Sequence, residues 1–210
     1  MSNSGAVRIA ENCVTALVVD LADMSCFEAS AIDLNDTGCW IVSDKVDLLK
    51  KEVGLRLAGY DKLVRGTVIA YGDNEARVSF LKDDQATGEK RREVRRSVWI
   101  STVVSGKTSP FIIKCRIIDA SRSGCRLEAD GLDRLPQDIE ISIPGLDMPI
   151  AAKIIWRRDG QAGVRLNWPF DPTPVLTPES VSAMLDREQE RLAAEKEPKK
   201  PKKRISAFGS

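Results

Sequence analysis

The stretch "RIIDASRSGCRLEA", residues 116–129, sets Asp119, Ser121 and Gly124 at the spacing D-x-S-x-x-G between two runs of alternating apolar residues. Alternation with period two is the pattern of a half-buried strand, so the stretch reads as strand, tight turn, strand. Asp and Ser suit the turn because their side chains bond local backbone, and Gly because it permits positive φ. A second stretch, "AIDLNDTGCWIVS" at 31–43, says nearly the same thing with Asp33, Asn35 and Gly38.

Aligning Asp33 on Asp119 sets an offset of 86 residues, and that offset holds across most of both halves. "VDLLKKEVGLRLAGYDKLV" from Val46 falls on "LDRLPQDIEISIPGLDMPI" from Leu132, matching Asp47 with Asp133, Gly59 with Gly145 and Asp61 with Asp147. "RGTVIAYGDNEARVSF" from Arg65 falls on "AAKIIWRRDGQAGVRL" from Ala151, with the hairpin signals Asp73-Asn74 and Asp159-Gly160 in register. Self-similarity that preserves turn positions means two copies of one fold. The second copy reads as strands near 97–105, 110–118, 124–129, 138–144, 148–157 and 162–167, and the offset transfers them to the first. Six short strands per copy with no helix between them predict an all-β protein of two tandem, six-stranded antiparallel barrels.

This places a first barrel at 1–83, a linker at 84–90 within the polar "LKDDQATGEK", and a second barrel at 91–172. A C-terminal helix is expected over 173–197, with Thr177 as N-cap, Pro178 at the first helical position and Leu176 stapled to Val181. Val181, Met184, Leu185 and Leu192 give that helix a narrow apolar stripe for packing on a barrel. The tail 198–210, "PKKPKKRISAFGS", is basic, proline-containing and expected to be disordered.

The 210 residues carry 32 basic and 31 acidic side chains, a net charge of +1, so no bulk field draws the chain to a polyanion. Aromatic residues are 5% of the chain, too few for a base-stacking platform along a strand of nucleic acid, and nucleic acid is not an expected partner. Five cysteines without a C-x-x-C pair, and no histidine anywhere, disfavour a structural metal and a resident cofactor. Cys39 and Cys125 read as small apolar residues on buried strand faces rather than redox thiols. The absence of histidine and of any Ser-base or Cys-base pairing also speaks against an enzyme. No apolar run reaches the length of a membrane span, and the reduced cysteines fit a cytoplasmic protein.

The copies part company just before the first strand of the second. "EKRREVRRSV" holds Arg91, Arg92, Arg95 and Arg96, whereas the offset finds Gly5, Ala6, Ile9 and Ala10 in the first copy. The barrel does not require the arginines if the first copy forms without them. Guanidinium groups grip phosphate and the guanine O6/N7 edge bidentately and stack on purines, while a carboxylate such as Asp119 accepts from guanine N1–H and N2–H. A solvated charge run at a domain boundary is the plain alternative.

The arginine segment R-x-x-x-R, two strands, D-x-S-x-x-G and a final "IIWRRDGQAGVRL" hairpin together resemble the PilZ domain, over about residues 88–195. PilZ domains are bacterial receptors for cyclic di-GMP, built as a six-stranded barrel with a C-terminal helix. The first half resembles a second PilZ domain that keeps a variant turn and lacks the arginines. The resemblance implies that Arg91 and Arg95 wrap over the ligand, one at guanine and one at phosphate. It further implies that Asp119 and Ser121 bond base or phosphate, and that Gly124 sets the turn. Arg92 with Arg96 satisfies the same spacing, so the register and the ligand stoichiometry stay open, although Val98 and Ile100 favour Arg91 with Arg95. The expected function is thus a cyclic di-GMP receptor that signals by domain reorientation to an effector protein the sequence does not identify. The alternative is a PilZ-fold interaction scaffold that binds no nucleotide.

Overall fold

A computed structural model describes residues 13–80, 94–107, 109–172 and 174–196. The expected linker at 84–90, Arg91, Arg92 and the tail 198–210 lie outside the described residues. The chain forms two closed six-stranded antiparallel barrels. The first uses β1 (Cys13–Asp20), β2 (Cys26–Asn35), β3 (Gly38–Val42), β4 (Glu52–Leu57), β5 (Leu63–Gly72) and β6 (Glu75–Phe80). The second uses β7 (Arg96–Gly106), β8 (Ser109–Ser121), β9 (Gly124–Glu128), β10 (Asp138–Ser142), β11 (Ile150–Arg158) and β12 (Gln161–Asn167). Among the described residues a single α-helix, α1 (Pro178–Lys196), follows.

Both barrels run in the same spatial order, β1-β2-β3-β6-β5-β4 and β7-β8-β9-β12-β11-β10, and the offset of 86 seen in the sequence survives at the level of register. Val18 pairs Leu55 where the first barrel closes, and Val104 pairs Ile141 where the second does. The ladder of β5 on β6 slips between Val68 and Ala70, and that of β11 on β12 slips between Ile154 and Trp156, the equivalent positions. Bulges of this kind bend a strand and let a small sheet close on itself. Asp159 and Gly160 both have positive φ, 52° and 71°, as the tight hairpin turn requires. In the first copy Asn74 takes the second of these roles, at φ 58°.

Alternation fills each interior. In "DIEIS" of β10 only Ile139 and Ile141 point inward, where they join Ile117, Leu127 and Ile150, all buried. Each such side chain contributes about 1.5–3 kcal/mol on burial. Yet the two interiors are not independent. Met24 and Leu63, from the first half, belong to the core of the second barrel. Conversely α1 packs on the first barrel: Leu176, Val181 and Met184 are buried in that core. The apolar stripe expected on the helix is real over Val181, Met184 and Leu185, but it serves the barrel that comes earlier in the chain. Its start follows the capping rules, with Ser180 N–H donating to Thr177 Oγ1 at 3.3 Å and Val181 N–H to Thr177 O at 2.9 Å. Tight seating is possible because Gly59, at φ 74°, has no side chain; a β-carbon there would stand 2.8 Å from the Met184 carbonyl oxygen.

The seam between the barrels is also bonded through backbone. Leu63 pairs with Phe170 in a parallel bridge, its N–H donating to Pro169 O at 3.1 Å and its carbonyl accepting from Asp171 N–H at 2.8 Å. Phe170 lies against Gly54, Tyr60 bonds the Asp171 carboxylate through its hydroxyl, and Arg56 pairs with Asp147 at 3.1 Å. Burial and the neighbouring carboxylate both push the Tyr60 phenol upward, so it remains a donor at all ordinary pH. Shared cores predict shared unfolding. Met184→Ala should cost about 2–5 kcal/mol, and in urea the amides of β3 and of β9 should lose hydrogen-exchange protection at one midpoint rather than two.

Candidate functional site

The turn from β8 to β9 is held from several sides. Ser121 pairs Gly124 across it, and the Ser121 hydroxyl donates to Gly124 O at 3.2 Å while the residue is only 3% exposed. Ser121 therefore builds the turn and is not presented on the surface in this conformation. Gly124 is demanded by proximity: a β-carbon would lie 2.4 Å from the carbonyl oxygen of Val164 on β12. Its counterpart Gly38 meets the carbonyl of Val78 at 2.1 Å. The two turns differ inside that common frame. In the first, Asn35 Oδ1 accepts from Thr37 N–H at 2.9 Å and Asp33 takes a left-handed φ of 51°.

Upstream of the turn, the β7–β8 ladder slips between Ser97 and Ile100, opposite the slip of β8 on β9 between Ile117 and Asp119. Val98 and Trp99 thus oppose the single residue Ile118, a bulge that re-aims side chains at the sheet surface. Asp119 emerges here, opposite Ser97 on one side and Arg126 on the other. Its carboxylate accepts from Arg95 Nη1 at 3.1 Å and stands 2.8 Å from Arg126 Nε. The second contact lacks hydrogen-bond geometry and is a charge contact. Asp119 keeps 14% of its side chain exposed against 56% for Arg95, so the anion is the fixed partner and the cation the mobile one.

Of the residues singled out in the sequence, the structure brings Arg95 and Asp119 together, with Ser121 and Gly124 forming the turn just beyond. Arg96 is exposed at the start of β7, across from Ala120. Arg126 escaped the sequence reading. The available signal was the cross-strand position of residue 126 relative to Asp119, together with the offset, which finds Trp40 in the first copy.

The segment 94–100 forms one wall of a cleft of about 820 Å³. The opposite wall comes from the first barrel, from Asp23–Cys26 and Lys50. Near the cleft's acidic wall, Ser25 N–H and hydroxyl both donate to Asp23 Oδ1, at 3.0 and 2.7 Å. The β8–β9 turn itself reaches across the seam: Arg122 Nη1 donates to both oxygens of Glu52, at 3.1 and 3.0 Å, and Arg65 approaches the same carboxylate at 3.5 Å. Trp168 Nε1–H donates to Arg122 O at 2.7 Å.

Cys39 and Cys125 are buried, and burial pushes both thiols up to about 12, which keeps them protonated and inert at neutral pH. Among the described residues no group of three or more His, Cys, Asp or Glu side chains is placed to hold a metal ion. Among them also, no helix is long and apolar enough to cross a membrane.

Residues 89–176 match the model of the PilZ domain family, so the second barrel, with the arginine segment that leads into it, is a PilZ domain. No curated protein matches the chain. Among solved structures it is similar to the Borreliella burgdorferi PlzA protein in complex with c-di-GMP, at 11% identity over 83% of this chain and 87% of that one, with a TM-score of 0.32. It is also similar to Escherichia coli YcgR in complex with c-di-GMP, at 13% identity over 87% and 86% of the two chains, TM-score 0.29. A third is the Bacillus subtilis inhibitor of motility MotI/DgrA, at 13% identity over 87% and 98%, TM-score 0.28.

Since backbone, not a flexible side chain, faces Gly124, relief must come from moving a strand. Gly124→Ala should destabilise the protein by about 1–3 kcal/mol, the cost of an overpacked site, measured as a shift of the urea midpoint. Ser123→Ala, in the same turn but exposed, should shift it far less.

Proposed function

We propose that the protein is a bacterial, cytoplasmic receptor for cyclic di-GMP that binds the dinucleotide on the second barrel. The observation that carries the reading is the Arg95–Asp119 pair at the edge of the cleft, together with its loss from the first barrel, where Ile9 replaces the arginine. An exposed pair of this kind adds at most about 1 kcal/mol to stability. Its chemistry suits a ligand better: a guanidinium for phosphate or guanine O6/N7, and a carboxylate for guanine N1–H and N2–H.

In this reading Arg95, with Arg91 from the preceding segment, grips the ligand, and Asp119 accepts from a guanine. Arg92 and Arg96 form the alternative register, and Arg126 holds Asp119 from β9. Ser121 and Gly124 act by fixing the turn. The protein works as a binding module with no catalytic step and no resident cofactor, and its output is read by an effector protein.

The signal is a change in the relation of the two barrels. Four like charges in the arginine segment repel one another until phosphate neutralises them. Arg95 is already paired with Asp119, and the ligand would draw the rest of the segment to it, beside the cleft whose other wall is the first barrel. The Leu63–Phe170 bridge and the Arg122–Glu52 pair limit the movement to a rotation about the seam. The ligand drives it to the extent that it binds one arrangement better.

Calorimetric titration with cyclic di-GMP should give micromolar affinity or tighter, about −8 kcal/mol, and the stoichiometry with it. Arg95→Ala should abolish measurable binding while leaving the urea midpoint nearly unchanged, and Asp119→Ala should cost about 1–3 kcal/mol of binding. Silence of the unaltered protein in this titration would leave the interaction scaffold as the reading.

For the switch, small-angle scattering and hydrogen exchange over residues 81–96 should both change with saturating ligand. Unchanged dimensions together with unchanged exchange would leave a static platform.

A further inference from the structure

Trp99 is a large apolar side chain that the fold leaves in water: it is 70% exposed although it sits within a strand of a closed barrel. Nothing in the barrel requires it, since the offset finds Cys13 at the same place in the first copy. Three features surround it. The Val98–Trp99 bulge faces it outward, two residues along β7 from Ser97, the residue that pairs with Asp119. The Arg116 guanidinium lies 4.3 Å from the centre of its ring, and the first copy has Ser30 in place of that arginine. Trp99 also lines the same cleft as Arg95, Arg96 and Lys50.

A guanidinium over an indole is attracted by the ring's quadrupole and holds the ring in one orientation. An indole so held, and otherwise open, offers a π-surface at low entropic cost to the next flat group that arrives. Purine bases are such groups, and aromatic side chains stack them whatever their edge pattern. Of the edge-reading partners, Asp119 pairs with Ser97, one strand repeat from Trp99, and Arg95 lies two residues further back.

We propose that Trp99 is a base-stacking residue of the nucleotide site and that Arg116 is a positioning residue that orients the indole. This rests on the receptor reading above. It assigns the site an aromatic wall in addition to its arginines and carboxylate. It also makes tryptophan emission a direct report of occupancy, because a stacked purine quenches an indole.

The test is titration of the full-length protein and of Trp99→Ala, Trp99→Phe and Arg116→Ala with cyclic di-GMP, by calorimetry and by tryptophan fluorescence. High exposure of Trp99 makes loss of folding an unlikely confounder, and far-ultraviolet circular dichroism verifies it. Trp99→Ala should weaken binding roughly tenfold or more. Trp99→Phe should stay within a few-fold of the unaltered protein, yet lose most of the ligand-induced quenching. Arg116→Ala should weaken binding by less than Trp99→Ala and keep the quenching, with partial rescue by Arg116→Lys, which restores a cation above the ring. If the unaltered protein binds and Trp99→Ala binds equally well, the stacking role is overturned, the receptor reading stands, and the exposed indole becomes a candidate protein contact. If the unaltered protein binds nothing, both fall together.

Discussion

A carbonyl oxygen of β12 occupies the space where residue 124 would carry a β-carbon, and the shape of the site follows from that approach. Because only glycine fits, β9 can lie close against β12 at the point where β8 turns back. The turn is consequently tight enough for Ser121 to bond Gly124 O and for Arg122 to project outward toward Glu52. The Asp119 carboxylate is then carried on the last turn-proximal part of β8, with little freedom of its own. The same approach, Gly38 against Val78, recurs in the first barrel, where no arginine answers it. The constraint is therefore one of the fold, and the arginines of the second copy are added on top of it.

The repeat separates the two contributions within a single molecule. Positions that coincide at the offset are those on which closure depends: Gly38 with Gly124, Gly59 with Gly145, the inward aliphatics, and the places where the ladders of β5 and β11 slip. Positions that diverge gather on one surface of the second barrel. Arg95, Trp99, Arg116 and Arg126 stand where the first copy has Ile9, Cys13, Ser30 and Trp40. In the second barrel all four are in contact with Asp119 or with one another, Arg95 and Arg126 through the carboxylate and Arg116 through the Trp99 ring. Random drift of a surface has no reason to place them together.

The strands, their turns and the doubling of the barrel were legible because they rest on local chemistry, alternation of apolar residues and Asp-Gly at a hairpin, whereas Gly124 was expected for positive φ and is required by the approach of Val164 O. Arg95 and Asp119 were legible for a different reason, the contrast between copies and the known match of guanidinium and carboxylate to guanine. What the sequence did not display are relations set by register and by docking. Arg126 meets Asp119 because the register set at the Ser121–Gly124 turn places the two opposite one another. Trp99 faces the cleft only because of the paired bulge. The stripe on α1 announces that the helix packs on a barrel, but periodicity carries no information about which one. That choice is made by Gly59 and by the first barrel's exposed core edge.

That choice bears on how binding could be felt at a distance. With α1 buried in the first core, and Met24 and Leu63 buried in the second, neither barrel can move as a free body. The seam between them is stitched by a backbone bridge and by ion pairs, of which Arg122–Glu52 springs from the very turn that positions Asp119. Partly exposed ion pairs are individually weak and exchange partners readily. The backbone bridge, flanked by buried Leu63, is the stiffer element. On the proposed reading, a seam of that composition would yield by rotation about the bridge with re-pairing of the charges around it. Wholesale separation would instead expose both cores to water.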